Sequence, residues 1–394
     1  MRWIDKSVGE VLVRLFGRLR RPGPHLLGRV DTIVVSKYLG IGSLLMATPL
    51  LQLLRSRFPK ARIIVVSFRQ NEALLKSFPF VDAIVAVDRG NLLAFTVSTI
   101  RAILMLRALN VDVWFDLEFF VRYSAVVTFL SRANIRVGFT AALNRRVDLL
   151  THAVSFNARQ HVSDTFLDQA RAIGLTPPAR READGPSIYR LTCPLESAQR
   201  TAEILNAQKI SEFVVFNATA GEAIGKERRW PAERWSELAD VVARRLGLGV
   251  VFTGEKTSKA EIDAMVKGCR SRGVHNLAGF TDFYGFVDTI SKARAVVTID
   301  SAALHIARSI GTPTVSLHGP EPPLVHAYPG PANRQVYKGY NGGPCPCFDL
   351  FENKRVRCRY SNACMDAISV SEVFGVLADL VAKSAGREVV STRG

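Results

Sequence analysis

The chain holds 394 residues, with 52 Lys and Arg against 35 Asp and Glu, so its formal net charge is +17. Apolar residues make up 48% and charged residues 22%, a balance that excludes disorder as the main state. The length suggests two domains, each able to bury its own core, and the charge points to nucleic acid, an anionic membrane surface or small anionic substrates.

Residues 1–28 come first in chain order. Ile4, Val8, Val11, Leu12, Leu15 and Leu19 recur at helical spacing, while Lys6, Arg14, Arg18, Arg20 and Arg21 lie largely off that stripe. Six basic against two acidic side chains give the segment a net of +4, and Pro22, Gly23 and Pro24 end the helix. Such a helix either lies in the headgroup layer of an anionic membrane or packs on the body of the protein with its Arg face wet. No apolar stretch before a small-residue cleavage site marks a secretory signal. Six cysteines in so long a chain do not form a disulfide framework, so a reducing, cytoplasmic setting is expected.

From Val30 the pattern becomes strand, loop, helix, repeated. Strands buried on both faces are expected at Thr32–Ser36, Ile63–Phe68, Ala83–Val87, Val111–Leu117 and Ile135–Phe139. Helices are expected at Leu44–Phe58, Asn71–Phe78, Leu92–Leu109 and Val121–Arg132. Leu92–Leu109 is the most apolar of them, but it is too short, and with Arg101 and Arg107 too charged, to span a bilayer. Residues 176–194, with Pro177, Pro178, Gly185 and Pro186 among charges, read as an interdomain linker.

The alternation then restarts, with strands at Phe213–Asn217, Gly249–Thr253, Val296–Ile299 and Thr314–Leu317. Helices are expected at Ala232–Arg245, Ser258–Arg270, Phe283–Ala293, Ala302–Ser309 and, after an irregular segment, about Val370–Lys383. The expected organisation is a basic helix over residues 1–28, Rossmann-like α/β domains over 29–180 and 190–368, and a C-terminal helix and tail over 369–394. Two doubly wound domains of this kind bind ligands at the carboxyl ends of their strands, in a cleft that both face.

Three places offer chemistry. Asp300-Ser301-Ala302-Ala303-Leu304-His305 follows a strand and opens a helix, presenting backbone N–H groups and the positive end of a helix dipole. The same residues also suit plain helix capping, with His305 a polar core contact. Asn217-Ala218-Thr219-Ala220-Gly221, with Lys226, Arg228 and Arg229 before Trp230-Pro231, could cradle phosphates or form a solvated basic loop. Gly40-Ile41-Gly42-Ser43 follows the first strand, but it is neither a dinucleotide loop nor a P-loop. No recognition helix, RNP-type aromatic pattern or zinc-finger spacing supports nucleic acid as the partner.

Together these segments resemble glycosyltransferase family nine, the group of the lipopolysaccharide heptosyltransferases, over most of residues 30–380. The likeness shows in Leu39–Pro49 with Phe58-Pro59, in Asp112–Leu117 with Arg136-Val137-Gly138-Phe139, and in Arg228-Arg229-Trp230-Pro231 with Trp235 and Leu238. It continues through Gly254, Asn276-Leu277-Ala278-Gly279, Asp300-Ser301 with His305-Ile306-Ala307, and Gly311-Thr312-Pro313 leading to His318-Gly319-Pro320. The resemblance implies a GT-B architecture and inverting transfer of a sugar, ADP-heptose being the family's donor, to a lipid-linked glycan such as the lipopolysaccharide core. It implies a cytoplasmic enzyme peripheral to the inner membrane. Donor contacts would come from Thr219, Lys226, Arg228, Gly254, Asp300, Ser301 and His305, with Gly40 and Gly42 on the acceptor-side loop. The family often has Lys at the position of Arg228.

No Asp-x-Asp pair is placed to hold a divalent cation, so no cofactor is expected to be required. Two departures stand out. Ser43 occupies the place where the family usually carries the Asp that takes the acceptor's proton, and a serine hydroxyl cannot serve at neutral pH. Glu118 and Asp116, at the end of the Val111–Leu117 strand, are the nearest substitutes, though Asp116 also suits a helix cap. Ala302 stands where the family often has Gly. Ser43 motivates an alternative, a catalytically silent relative that binds nucleotide sugar or glycan as an assembly subunit. Finally, Cys345, Cys347, Cys358 and Cys364 could hold a structural zinc, remain reduced thiols or form an occasional disulfide.

Overall fold

The computed structural model describes residues 2–19, 28–119, 121–140, 145–157, 159–179, 188–219, 228–339, 348–349, 354–355, 358 and 362–385. The chain divides into two compact units, the first built mainly from residues 1–181 and the second mainly from residues 190–348 and 355–394.

The first unit begins with α1 (Arg2–Gly17), followed by β1 (Thr32–Ser36), α2 (Ile41–Met46), α3 (Thr48–Arg57) and β2 (Arg62–Phe68). Next come α4 (Glu72–Lys76), β3 (Ala83–Val87), α5 (Leu92–Ala108), β4 (Val113–Asp116), α6 (Arg122–Leu130), β5 (Ile135–Thr140), β6 (His152–Ser155) and α7 (Val162–Arg171). Its six strands run parallel in the order β3-β2-β1-β4-β5-β6. The β-branched runs of β1 and β2 are buried almost throughout, as strands covered on both faces must be.

The second unit repeats the plan. It contains α8 (Leu195–Ala207), β7 (Phe213–Asn217), α9 (Ala232–Leu246), β8 (Gly249–Phe252), α10 (Lys259–Lys267), β9 (Val274–Asn276), α11 (Phe283–Lys292) and β10 (Val296–Ile299). After these come α12 (Ala302–Ile310), β11 (Thr314–His318), α13 (Pro323–His326), β12 (Asn333–Tyr337), α14 (Ala363–Asp366) and α15 (Val370–Ala385). The sheet order β12-β11-β10-β7-β8-β9 is the first sheet's order read from the other edge. Both are the doubly wound order whose strand direction of travel reverses between the first and fourth strands. Those switch points fall between β1 and β4 in one unit and between β7 and β10 in the other.

The strands and helices expected from the sequence are present, with instructive differences. The single helix expected over Leu44–Phe58 is two, because Pro49 has no N–H to offer Leu45; the Thr48 hydroxyl donates to the Leu45 carbonyl instead, at 2.6 Å. The edge strands β6, β9 and β12 were not anticipated, being short or polar, nor were α7 and α8. The C-terminal helix is no separate appendage: Val373, Leu377 and Leu380 of α15 join the core of the second unit.

The basic N-terminal helix likewise belongs to the first unit. Asp5 accepts hydrogen bonds from Arg122 N and Tyr123 N at the start of α6, Val13 is buried against Ala125, Val126 and Leu149, and Phe16 stacks on Phe129. The expected apolar stripe is split. Its Leu12 packs beside the buried Val13, which lies outside the stripe, whereas Val11, Leu15 and Leu19 are each more than half exposed.

Candidate functional site

In the second unit, polar groups converge on the carboxyl ends of β7, β8, β10 and β11. Ser301 caps α12, its Oγ accepting from Ala303 N at 3.3 Å while donating to Asn217 Oδ1 at 2.9 Å. Asn217 in turn donates through Nδ2 to the Thr253 carbonyl, 3.1 Å away, so the ends of three strands are tied at the switch point. Gly254 allows a close approach there: a Cβ on it would stand 2.8 Å from Ile262 Cδ1 and 3.2 Å from Thr219 Oγ1.

Asp300 is the hub of the charges. Arg228 reaches its Oδ2 at 3.1 Å, His326 Nδ1 lies 3.7 Å from the same oxygen, and His305 Nε2 lies 3.8 Å from Oδ1. Arg228 also pairs with Glu321, whose Oε2 lies 3.3 Å from His326 Nδ1. The other His305 nitrogen, Nδ1, is 3.1 Å from the Tyr328 hydroxyl, which fixes the ring.

Burial opposes ionisation of Asp300, but Arg228, the His305 hydrogen bond and His326 together hold its carboxyl well below the usual carboxylate range. The histidines split in the opposite sense. Burial pushes His318 down to about 4 and lowers His305, so both rings are neutral at pH 7. Burial also acts against protonated His326, yet Asp300 and Glu321 overcome it and raise its pKa. The site thus sets the Arg228 guanidinium, and a His326 ring whose protonated form its carboxylate neighbours favour, beside a helix N-terminus.

Asp300, Glu321 and His326 offer ligand atoms within 4.8 Å of one another, a set that suits a metal ion. Arg228 already occupies both carboxylates, so a cation would have to displace its guanidinium. The structure therefore brings Thr219, Arg228, Gly254, Asp300, Ser301 and His305 to the carboxyl end of one sheet; Lys226 lies outside the described residues. Glu321 and His326 were missed, although Glu321 directly follows His318-Gly319-Pro320 at a strand end, the place where such sheets gather ligand contacts.

In the first unit the expected carboxylates have other duties. Asp116 is fully buried and pairs with Arg146, itself fully buried. Its oxygens also accept from the hydroxyls of Ser36 at 3.2 Å and Ser124 at 2.7 Å and from Glu118 N at 3.1 Å. Glu118 is buried too, and its Oε1 accepts from Lys37 Nζ at 3.0 Å, Tyr38 N at 2.7 Å and Leu39 N at 3.1 Å. It clamps the loop after β1 (Glu118→Gln would strip charge from that clamp). Each carboxylate is thus engaged by a buried cation, Arg146 for Asp116 and Lys37 for Glu118, and protonating either would leave that cation uncompensated.

That loop leads through Gly40, whose φ of +88° favours glycine, into α2, with Gly42 buried and Ser43 half-buried in its first turn. Of the cysteines, Cys345 and Cys347 lie outside the described residues. Cys364 is buried in the core of the second unit, with Cys358 packed against it.

Two sheets of one doubly wound order, each with polar residues gathered at its switch point, define the two-domain α/β plan of the GT-B fold. Residues 101–350 match the family described as glycosyltransferase family 9 (heptosyltransferase), and the chain belongs to that family. Lipopolysaccharide heptosyltransferase 3 of Escherichia coli K12 is 25% identical over 289 residues, covering 71% of this chain and 79% of that protein. Among solved structures, a family 9 glycosyl transferase from Veillonella parvula superposes with a TM-score of 0.73 at 19% identity, covering 91% of this chain and all of the other. The E. coli ADP-heptose LPS heptosyltransferase II gives 0.69 at 20% identity, over 90% of this chain and all of that one.

Proposed function

We propose that the protein is an inverting, metal-independent glycosyltransferase that moves a sugar, heptose foremost, from an ADP-linked donor to a lipid-linked glycan at the cytoplasmic face of the inner membrane. The observation that carries this reading is the placing of Arg228 and His326 together beside the N-terminus of α12. A departing nucleotide diphosphate gathers negative charge, and preorganised cations and backbone N–H groups stabilise it. Asp300 positions Arg228, His326 and His305 rather than meeting the anion itself. The guanidinium held between Asp300 and Glu321 fills the place between those carboxylates that a divalent ion would need, which supports the metal-free reading. Relatives named for ADP-heptose and lipopolysaccharide support the choice of donor and acceptor.

A thermal-shift screen of nucleotide sugars, followed by transfer assays with lipid-linked acceptors, tests the proposal. ADP-heptose should raise the melting temperature most, and a set of ADP-sugars that shifts nothing would refute it. Replacing Arg228 by Ala should weaken ADP-sugar binding about tenfold or more, the worth of a charge-assisted pair. Arg228→Lys should recover most of that loss in calorimetric titration, because an ammonium keeps the charge.

The charge of His326 gives a pH dependence of definite sign. Its raised pKa means that the ring carries charge below that pKa and loses it as pH climbs through and beyond the ordinary histidine value of about 6.5. ADP-glucose, whose diphosphate keeps a constant charge over this range, should therefore bind more weakly as pH rises. Titrations of the His326→Gln protein should show a flatter profile; an unchanged profile would remove His326 from the site.

A second reading rests on Ser43 alone: a relative that binds nucleotide sugar and glycan without transferring. Donor binding without turnover would favour it.

A further inference from the structure

Helix α5 is apolar on both sides. Its inner face buries Ala102 and Leu106 in the core of the first unit, beside Ile64, Val66 and Val85 of the sheet. Its outer face carries Leu92, Leu93, Val97, Ile100, Leu104 and Met105, each between 43% and 75% exposed. A surface helix of a water-soluble protein normally turns charge outward, whereas a helix apolar all round is covered on both sides. The exposed apolar area is on the order of several hundred Å², the size at which a patch marks an interaction surface.

The charges say what covers it. No acidic residue occurs from Arg89 to Asn110. Arg101 is exposed at the edge of the apolar face, Arg107 lies half-buried near the end of the helix, and Arg89 is exposed just before its start. A second copy of this chain would bring the same arginines against themselves in a two-fold contact. An anionic lipid surface complements them, with the leucines entering the acyl boundary and the guanidinium groups reaching the phosphates. No described helix is long and apolar enough to cross a membrane, so the contact is one of lying flat. Helix α6 adjoins α5, where Tyr123 meets Phe95 and the Thr99 hydroxyl, and it also adjoins α1, whose exposed Val11, Leu15, Arg14 and Arg18 add a second basic amphipathic stripe to the same unit.

We infer that the outer face of α5 docks the protein on an anionic bilayer. The inference rests on the lipid-linked acceptor proposed above for its purpose, and on exposure and charge for its physics. Sedimentation of the full chain with vesicles tests it, comparing pure phosphatidylcholine with phosphatidylcholine containing a third phosphatidylglycerol. The protein should sediment with the mixed vesicles, less with the neutral ones, and less again as salt rises. The Leu93→Gln/Leu104→Gln protein should partition about a hundredfold more weakly, at roughly tenfold per buried leucine, with its melting temperature and ADP-glucose binding unchanged.

Equal sedimentation of the variant and the parent would overturn the inference, as would loss of binding confined to a Val11→Gln/Leu15→Gln control. A parent dimer that becomes monomeric in the α5 variant, without vesicle binding by either, would assign the face to a second copy instead. Vesicle binding without any nucleotide-sugar binding would sink the proposed function and leave the docking face standing. Nucleotide-sugar binding without vesicle binding would do the reverse.

Discussion

Replacing Arg146 by Ala should destabilise the first unit by about 3–5 kcal/mol, the usual result of stripping one partner from a fully buried ion pair. Arg146 and Asp116 are both wholly shielded from water, so the remaining carboxylate would have no compensating cation. The guanidinium also donates to the carbonyls of Glu118 and Phe119, at 2.5 and 2.6 Å, and so ties the end of β4 to the segment before α6. Losing it frees the carboxyl end of β4, where Glu118 begins its clamp on the loop after β1. Hydrogen exchange of β1 and β4 amides, with chemical denaturation, measures the effect, and a loss under about 1 kcal/mol would show that the pair is dispensable.

The pH dependence of that deficit follows from the Asp116 carboxyl. Burial already raises its pKa, with Arg146 and the Ser124 hydroxyl pulling the other way. Without the arginine the folded-state value climbs further above the unfolded one, so the folded protein holds the extra proton over a wider range. Stability of the variant therefore rises as pH falls through that value toward the unfolded carboxyl's, and its deficit should shrink as pH is lowered through the same range. A neutral replacement of both partners, Asp116→Asn with Arg146→Met, should recover much of the loss, since no buried charge is left alone.

The two switch points differ in how much of them the sequence disclosed. Around α12 the strand end, the cap and His305 follow one another within six residues, so one stretch of sequence exposed the anion site. Glu321 and His326 enter that site from beyond β11, some twenty residues later, and only the parallel pairing of β10 with β11 brings them to Asp300. The same limit governs Asp116. A carboxylate at a strand end reads equally as base or as structure, and the cation that decides between them arrives from Arg146, thirty residues on.

Faces were harder to read than elements. Apolar spacing announced α1 and α5, yet in α1 it did not separate Leu12, which packs beside Val13, from the exposed Val11 and Leu15, since period alone does not say which neighbour a helix meets. For α5 the spacing carried no face at all, because apolar residues occupy nearly the whole circumference. Only the fractional exposure of each side chain separates the face packed on the sheet from the face left for a partner.

Ser43→Asp should raise the rate of sugar transfer about a hundredfold or more, the contribution expected of a positioned general base. The resemblance to the family puts that carboxylate in the first turn after the first strand, and here the nearby Asp116 and Glu118 are each engaged by a buried cation, Arg146 and Lys37. The backbone is ready to receive it. Gly40 turns the chain into α2, Glu118 fixes the preceding loop through Tyr38 N and Leu39 N, and Ser43 is half-buried within the first helical turn. An acidic side chain there also suits the helix dipole, so the substitution should not weaken the fold. The gain should fall on kcat, with ADP-sugar affinity unchanged, because the donor contacts proposed here lie in the other unit. Steady-state assays of parent, Ser43→Asp and Ser43→Ala proteins resolve the two readings of this chain. A slow parent that Ser43→Asp accelerates is an enzyme missing one group. If both bind donor and neither transfers, more than the base has been lost, and the chain is a binding relative of the family.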